Sequence, residues 1–379
     1  PAPQADPTSA TPTRPSASGT PVPMPSPTST PSATPTPTAS PAPTSLDGPD
    51  TVRVAVEEVA RDLPAPWGLA FLPGGSALVT LRDEARVVVV DASGRTTRVT
   101  GPGAQQLADW TRPAGEGGLL GVTVLPGGSG GTDVAFYLTA ARDNRVVRGT
   151  LDGTRLGSLD VVLTGIPKAA NHDGGRLAVG PDGFLYVSTG DASEPDRALE
   201  EDSLGGKILR VTPDGDPAPG NPDRGSPVWS SGHRNVQGLG WASDGRMFAS
   251  EFGQSTWDEL NLVRKGGNYG WPIIEGKGGE EHGFDDPLVT WATKDASPSG
   301  LAVTGEGVYL AGLRGQTLWR VPLRPKGVGT PQPLLRGEHG RLRDVAVAPD
   351  GSLWVLTNNT DGRGDPRAGD DRILRVTVR

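Results

Sequence analysis

A glycine-containing turn followed by four to six residues of strand character recurs along this chain and constrains its fold more than any other feature. It reads LPGGSALVTL from Leu72, LPGGSGGTDVAFYLT from Leu125, GPDGFLYVST from Gly180, ASDGRMFASE from Ala242, TGEGVYLAG from Thr304 and APDGSLWVLT from Ala348. Asp-Gly and Gly-Gly pairs supply the positive φ of tight hairpin turns, and the residues after them favour β structure. Copies lie roughly 45 to 60 residues apart, the period expected when each repeat is one four-stranded propeller blade. Six copies predict an all-β, six-bladed β-propeller over residues 47–379. TVRVAVEEV near Thr51 and RILRVTVR at the C-terminus both read as strands, and a closed ring lets them share one blade. No long amphipathic helix is visible, and RALEEDSLGG near Ala198 reads as a single helical turn.

Residues 1–46 are almost entirely Pro, Ala, Ser and Thr. Such a segment buries too little apolar surface to offset its ordering entropy, so a disordered linker or stalk is expected there. A stalk ahead of a folded domain favours export or surface display, and a chain starting at Pro1 fits an export signal already removed. The 55 glycines and 38 prolines divide between this segment and the turns of the propeller. Cysteine is absent, which excludes disulfides, thiolate metal sites and a cysteine nucleophile. A formal net charge of −8 argues against a general binder of nucleic acid or anionic membrane. No apolar run reaches the roughly 18 residues of a membrane helix.

Propellers carry their sites on loops at one mouth of the channel, and four loops hold the polar groups of interest. In NHDGGRLAVGPDGFLYVSTGD, His172 enters one hairpin strand and Asp191 leaves its partner, so the two share one end of a blade. An imidazole held by a carboxylate is a general base, and a turn histidine bonded to backbone is the other reading. SGHRNVQGLGW gathers His233, Arg234, Asn235 and Gln237, a set suited to a planar ligand rich in carbonyls and carboxylates, with His233 a candidate brace. In GEHGRLRDVAVAPDG, Arg341 and Arg343 face one side, requiring an anion between them that either a ligand or Asp344 could provide; Arg314 could join this cluster. In EFGQSTWDELNLVRKGGNYGWP, the carbonyls of Gly253 and Gln254 and the carboxylate of Glu259 are oxygen donors of the type Ca2+ takes. Asp-rich loops from Pro213 and Thr360 read as solvated turns, and the RGD at 363–365 reads as a chance match.

The pieces PWGLAFLPGG, EGGLLGVTVLP, NHDGGRLAVGPDGFLYVSTGD, LGGKILRV, GHRNVQGLGW, DELNLVRKGGNYGWP, SPSGLAV and GRLRDVAVAPDG occur in order from about Pro66 onward. With them the chain resembles the soluble pyrroloquinoline-quinone (PQQ)-dependent aldose sugar dehydrogenases of the glucose/sorbosone dehydrogenase family. The resemblance implies oxidation of the C1 hydroxyl of aldoses to lactones, with PQQ and Ca2+ as cofactors and an external electron acceptor. It implies that His172 is the base and Asp191 the carboxylate that tunes it. Arg234, Asn235, Gln237, Arg314, Arg341 and Arg343 become cofactor contacts, Gly253 and Gln254 the carbonyl donors of a catalytic Ca2+, and Glu259 and Tyr269 a second calcium site. Arg314 stands where the glucose enzymes carry lysine, Glu116 where they carry a substrate-contacting glutamine, and Gln254 where they carry proline. Trp291, ahead of SPSGL, is the expected stacking platform for sugar or cofactor. A non-catalytic extracellular propeller that binds glycans or a protein is the alternative; a calcium-dependent lactonase would need a carboxylate-lined axial metal that these residues do not assemble.

Overall fold

The computed structural model describes residues 51–379 apart from Ser129; the expected stalk over 1–46 lies outside the described residues. Six antiparallel sheets follow one another along the chain. Their innermost strands are Pro66–Phe71, Leu119–Val124, Leu177–Val179, Val236–Trp241, Pro298–Val303 and Leu342–Val347. These strands neighbour one another around a central axis, which is the six-bladed propeller expected from the repeat. The ring closes as the two ends suggested: Val54–Ala60 pairs antiparallel with Ile373–Val378 as the outer strand of the last blade.

Strand Ala77–Leu81 shows why the blades stack. All five residues are buried, because both faces of a blade meet a neighbour and a strand there needs apolar groups on both sides. Alternation then sorts them: Leu78 packs into a cluster shared with the second blade, whereas Ala77 and Val79 pack against Leu356 and Ile373 of the closing blade. The helix of nine residues at Pro102–Trp110 is a departure from the sequence reading. It starts with proline at its first position, where the missing N–H is not needed, and buries Leu107 among residues of the second blade. Near Ala198 the helical turn is 3-10 and lies earlier than expected, at Pro195–Ala198, so it overlaps RALEEDSLGG only at Arg197 and Ala198. Among the described residues no helix is long and apolar enough to cross a membrane.

Each innermost strand begins at one mouth of the axial channel, and the antiparallel strand after it ends there. The glycine turns of the repeat join these two strands, so they sit at the opposite mouth. Loops flanking the two strands on their other side therefore converge without being close in sequence.

Candidate active site

A cavity of about 430 Å³ opens at the mouth opposite the glycine turns. His172 reaches it from the loop before Leu177–Val179, and Asp191 follows Leu185–Ser188 on the paired strand. The imidazole Nδ1 lies 2.7 Å from Asp191 Oδ1. Asp191 is fully buried, and its other oxygen accepts the Trp271 indole N–H at 2.9 Å. A guanidinium nitrogen of Arg234 lies 2.7 Å from His172 Nε2. Arginine has only donors, so Nε2 accepts, the ring proton is assigned to Nδ1, and Nδ1–H donates to Asp191. The imidazole thus directs a lone pair toward the cavity. His172 has φ of 62°, and its carbonyl packs so close to Gly190 that a Cβ there would come within 1.9 Å of it.

The SGHRNVQGLGW loop divides its labour. Arg234, Asn235 and Gln237 line the cavity. Asn235 Oδ1 accepts the Gly174 N–H at 3.0 Å, tying this loop to the one that carries His172. His233 lies outside the cavity lining and is a brace: it is fully buried, 2.8 Å from Glu251 and 2.9 Å from Ser230 Oγ, and stacked on Tyr269.

Arg341 and Arg343 flank buried Leu342 and both line the cavity. The carboxylate that separates them is Asp361, 3.0 Å from Arg341 and 3.7 Å from Arg343. Asp344 does not serve this role, because the next residue along a strand points to the other face; it pairs with Arg176 at 2.6 Å instead. Arg343 also donates to Gln237 at 2.9 Å and to Asn358. Burial pulls its pKa down to about 9, leaving it cationic at neutral pH. Arg314 lies exposed at the rim.

Five arginines, at 234, 314, 341, 343 and 363, line the cavity against two carboxylates, Glu116 and Asp258; Arg363 is offset by Glu116, which leaves the other four to face a ligand. Burial raises Asp258 to about 6, which leaves it ionised at neutral pH. The buried Nε atoms of Arg234 and Arg341 have no hydrogen-bond partner. Unpaired buried donors are costly, so this cationic lining fits a ligand with several carboxylates.

Gly253 and Gln254 reach the cavity from the end of Met247–Glu251. The Gly253 carbonyl accepts from Arg234 at 2.6 Å. Glu259 and Tyr269 do not reach the main cavity; they line a small pocket behind it with Glu251 and Glu275. Burial and the charge of Glu251 raise Glu259 to about 8. Hydrogen bonds already occupy these carboxylates: the Asn261 amide donates to both Glu259 and Glu251, Glu259 also accepts from Gly276, Glu251 also faces His233, and Glu275 accepts the N–H groups of 254–257. The Tyr269 hydroxyl is bonded to the backbone of Leu262 and Arg264. Among the described residues no three carboxylate or imidazole groups converge as a metal cluster on their own.

Trp291 departs from its expected place. It is buried in a core cluster beside Trp319, because its strand is the outermost of the fourth blade. The aromatic carbocyclic rings that line the cavity are those of Phe252 and of Trp67 from PWGLAF; Trp67 is nearly fully buried, with Arg176 4.4 Å and Arg343 5.8 Å from its ring centre. Trp271, Asp361 and Arg363 also belong to the site, although the sequence marks Asp361 only as part of a solvated turn and Arg363 only as part of a chance RGD match; each bears on the site through contacts with other loops.

The model of the glucose/sorbosone dehydrogenase family matches residues 63–374. The chain belongs to that family. It is therefore a sugar oxidoreductase of the propeller class. A PQQ-bound aldose sugar dehydrogenase from Streptomyces coelicolor is similar in structure at a TM-score of 0.83 and 52% identity, covering 87% of this chain and 99% of that one. A putative oxidoreductase (glucose dehydrogenase) from Thermus thermophilus matches at 0.79 and 43% identity, covering 86% and 100%. Aldose sugar dehydrogenase YliI from Escherichia coli is 29% identical over 354 residues, 83% of this chain and 92% of that protein.

Proposed function

We propose that this cavity binds PQQ and oxidises the C1 hydroxyl of aldoses to lactones, with His172 as general base. The observation that carries the reading is the His172 lone pair, held at the cavity by the Nδ1 contact to buried Asp191 and by Trp271 behind it. When bound, the quinone supplies a two-electron hydride acceptor and Ca2+ supplies Lewis acidity. The residues suited to hold the quinone are Arg234, Asn235, Gln237, Arg314, Arg341 and Arg343, and the cationic lining with its unpartnered Nε atoms supports that fit. The Gly253 and Gln254 carbonyls are the proposed donors for a catalytic Ca2+, and Glu259 and Tyr269 mark the proposed second calcium site.

His172 Nε2 takes the proton of the anomeric hydroxyl as the hydride leaves C1. Arg234 shares that lone pair, so an incoming hydroxyl replaces a guanidinium N–H there. Asp191 balances the imidazolium that results, in a site where burial keeps the interaction strong. Glu116 stands beside the base as a hydroxyl acceptor. The Pro/Ser/Thr-rich segment supports a secreted or surface-held enzyme that passes electrons to an external acceptor.

The test is titration of the protein with PQQ and Ca2+, followed by dye reduction with a panel of aldoses. An absorbance change on cofactor binding and sugar-dependent reduction are expected. Binding without turnover in the wild type, with His172→Ala indistinguishable from it, would favour a non-catalytic propeller that holds glycans.

A further inference from the structure

Arg363, the first residue of the RGD triplet, comes from the loop between strands Leu353–Thr357 and Ile373–Val378 of the closing blade. Its Nη1 donates to Glu116 Oε1 at 2.6 Å, across 247 positions of sequence. Glu116 leads into the second blade, so the contact spans the first blade at the rim of the cavity. The other Glu116 oxygen accepts the backbone N–H of His172 at 3.1 Å. One carboxylate thus connects the loop of the base to the closing blade.

Both ends of the pair are anchored. The Glu116 N–H donates to the Ala170 carbonyl at 2.8 Å. Asp361 accepts the Arg363 N–H at 3.0 Å through one oxygen and Arg341 at 3.0 Å through the other. The Arg363 side chain is 54% exposed and Glu116 21%, so the guanidinium keeps N–H groups available at the rim while the carboxylate is held. An ion pair this exposed adds little to stability. Side by side, a held carboxylate and a guanidinium present both acceptors and donors to a neutral polyol.

We propose that Arg363 is a sugar-binding residue of the site: it fixes the Glu116 carboxylate as a hydroxyl acceptor beside His172 and donates to a second hydroxyl of the same neutral aldose. The inference rests on the reading of the cavity as a sugar site, and it concerns sugar affinity rather than cofactor uptake or proton transfer.

The test compares wild type, Arg363→Ala, Arg363→Lys, Glu116→Gln and the double variant E116Q/R363A. D-glucose and D-xylose binding is followed by saturation-transfer NMR, and kcat and KM are measured on the PQQ-loaded protein. In Arg363→Ala, sugar affinity is expected to fall about tenfold, as for loss of a charged hydrogen bond, and KM to rise in parallel. A change in kcat under about threefold and unaltered PQQ titration are expected with it, since uniform binding is what is lost. Arg363→Lys should recover part of the affinity, and the double variant should be no worse than the weaker single one because the pair acts as a unit. Unchanged sugar affinity in Arg363→Ala, or losses that multiply in the double variant, overturns the proposal. If the wild type reduces no dye but binds sugar in an Arg363-dependent way, the proposal stands and the dehydrogenase reading of the cavity fails. Wild-type protein that binds neither sugar overturns it.

Discussion

The two mouths of this propeller use glycine for opposite reasons. At the turn mouth, Gly183, Gly245 and Gly351 adopt φ of 79°, 89° and 83°, and a Cβ at any of them would meet nothing within 4 Å. Only backbone conformation requires glycine there. At the site mouth the constraint is space: a Cβ would fall 1.9 Å from the His172 carbonyl at Gly190 and 1.8 Å from the Trp257 carbonyl at Gly253, and neither glycine has a positive φ. Charges follow the same division. Turn-mouth ions pair locally, as Asp244 does with Arg246. Site-mouth ions pair across blades, as Glu116 does with Arg363, or across separate loops, as Asp361 does with Arg341 and Arg343. One mouth is built by short-range geometry that each blade repeats, and the other by contacts between segments distant along the chain.

Substitutions at the site mouth should cost activity before stability. The largest effect belongs to His172→Ala, expected to slow dye reduction by about a thousandfold, the scale of a lost general base, while the PQQ absorbance change persists. Next is Gly190→Ala, which forces the His172 carbonyl aside; turnover should fall on the order of a hundredfold, with circular dichroism unchanged, if a misplacement of about 1 Å is what results. Arg343→Ala should weaken PQQ binding roughly tenfold to a hundredfold in equilibrium titration, as expected for a charge-assisted contact.

At the turn mouth the pattern should reverse. Gly183→Ala should lower stability by roughly 1 kcal/mol in denaturant unfolding and leave kcat and KM unchanged, because only the positive φ is disturbed. A loss of activity there would break the division between the mouths. Behind the site a pH dependence of stability is expected. Glu259 titrates near 4.5 when unfolded and is raised to about 8 in the fold. Stability should therefore decline as pH rises from about 4.5 to about 8 and level off above that, since the unfolded chain sheds the proton first. Glu259→Gln should flatten this slope in thermal unfolding measured across that range.

Much of the architecture was legible because its signals are local. Asp-Gly and Gly-Gly turns mark the hairpins, their period marks the blades, and the two terminal strands mark the closure seen between Val54–Ala60 and Ile373–Val378. The helix Pro102–Trp110 was not, since a helix of nine residues carries little periodic signal and is held by Leu107 packing into the second blade. His172 and Asp191 could be paired from sequence because they flank one hairpin. Asp361 could not be assigned to Arg341 and Arg343, nor Arg363 to Glu116, since those contacts depend on how the loops of the last blade fold over the channel mouth.

Trp291 and Trp67 mark the boundary between the two kinds of knowledge. Both are tryptophans beside family-like motifs in the chain, yet Trp291 lies in the core of an outer strand and Trp67 on the wall of the cavity. The sequence by itself determined six hairpin repeats, their order, and the presence of a base, a carboxylate and several arginines on the loops between them. Only the tertiary structure decided which of those groups meet, because strand direction sends the repeated turns to one end of the axis and ring closure brings distant loops together at the other.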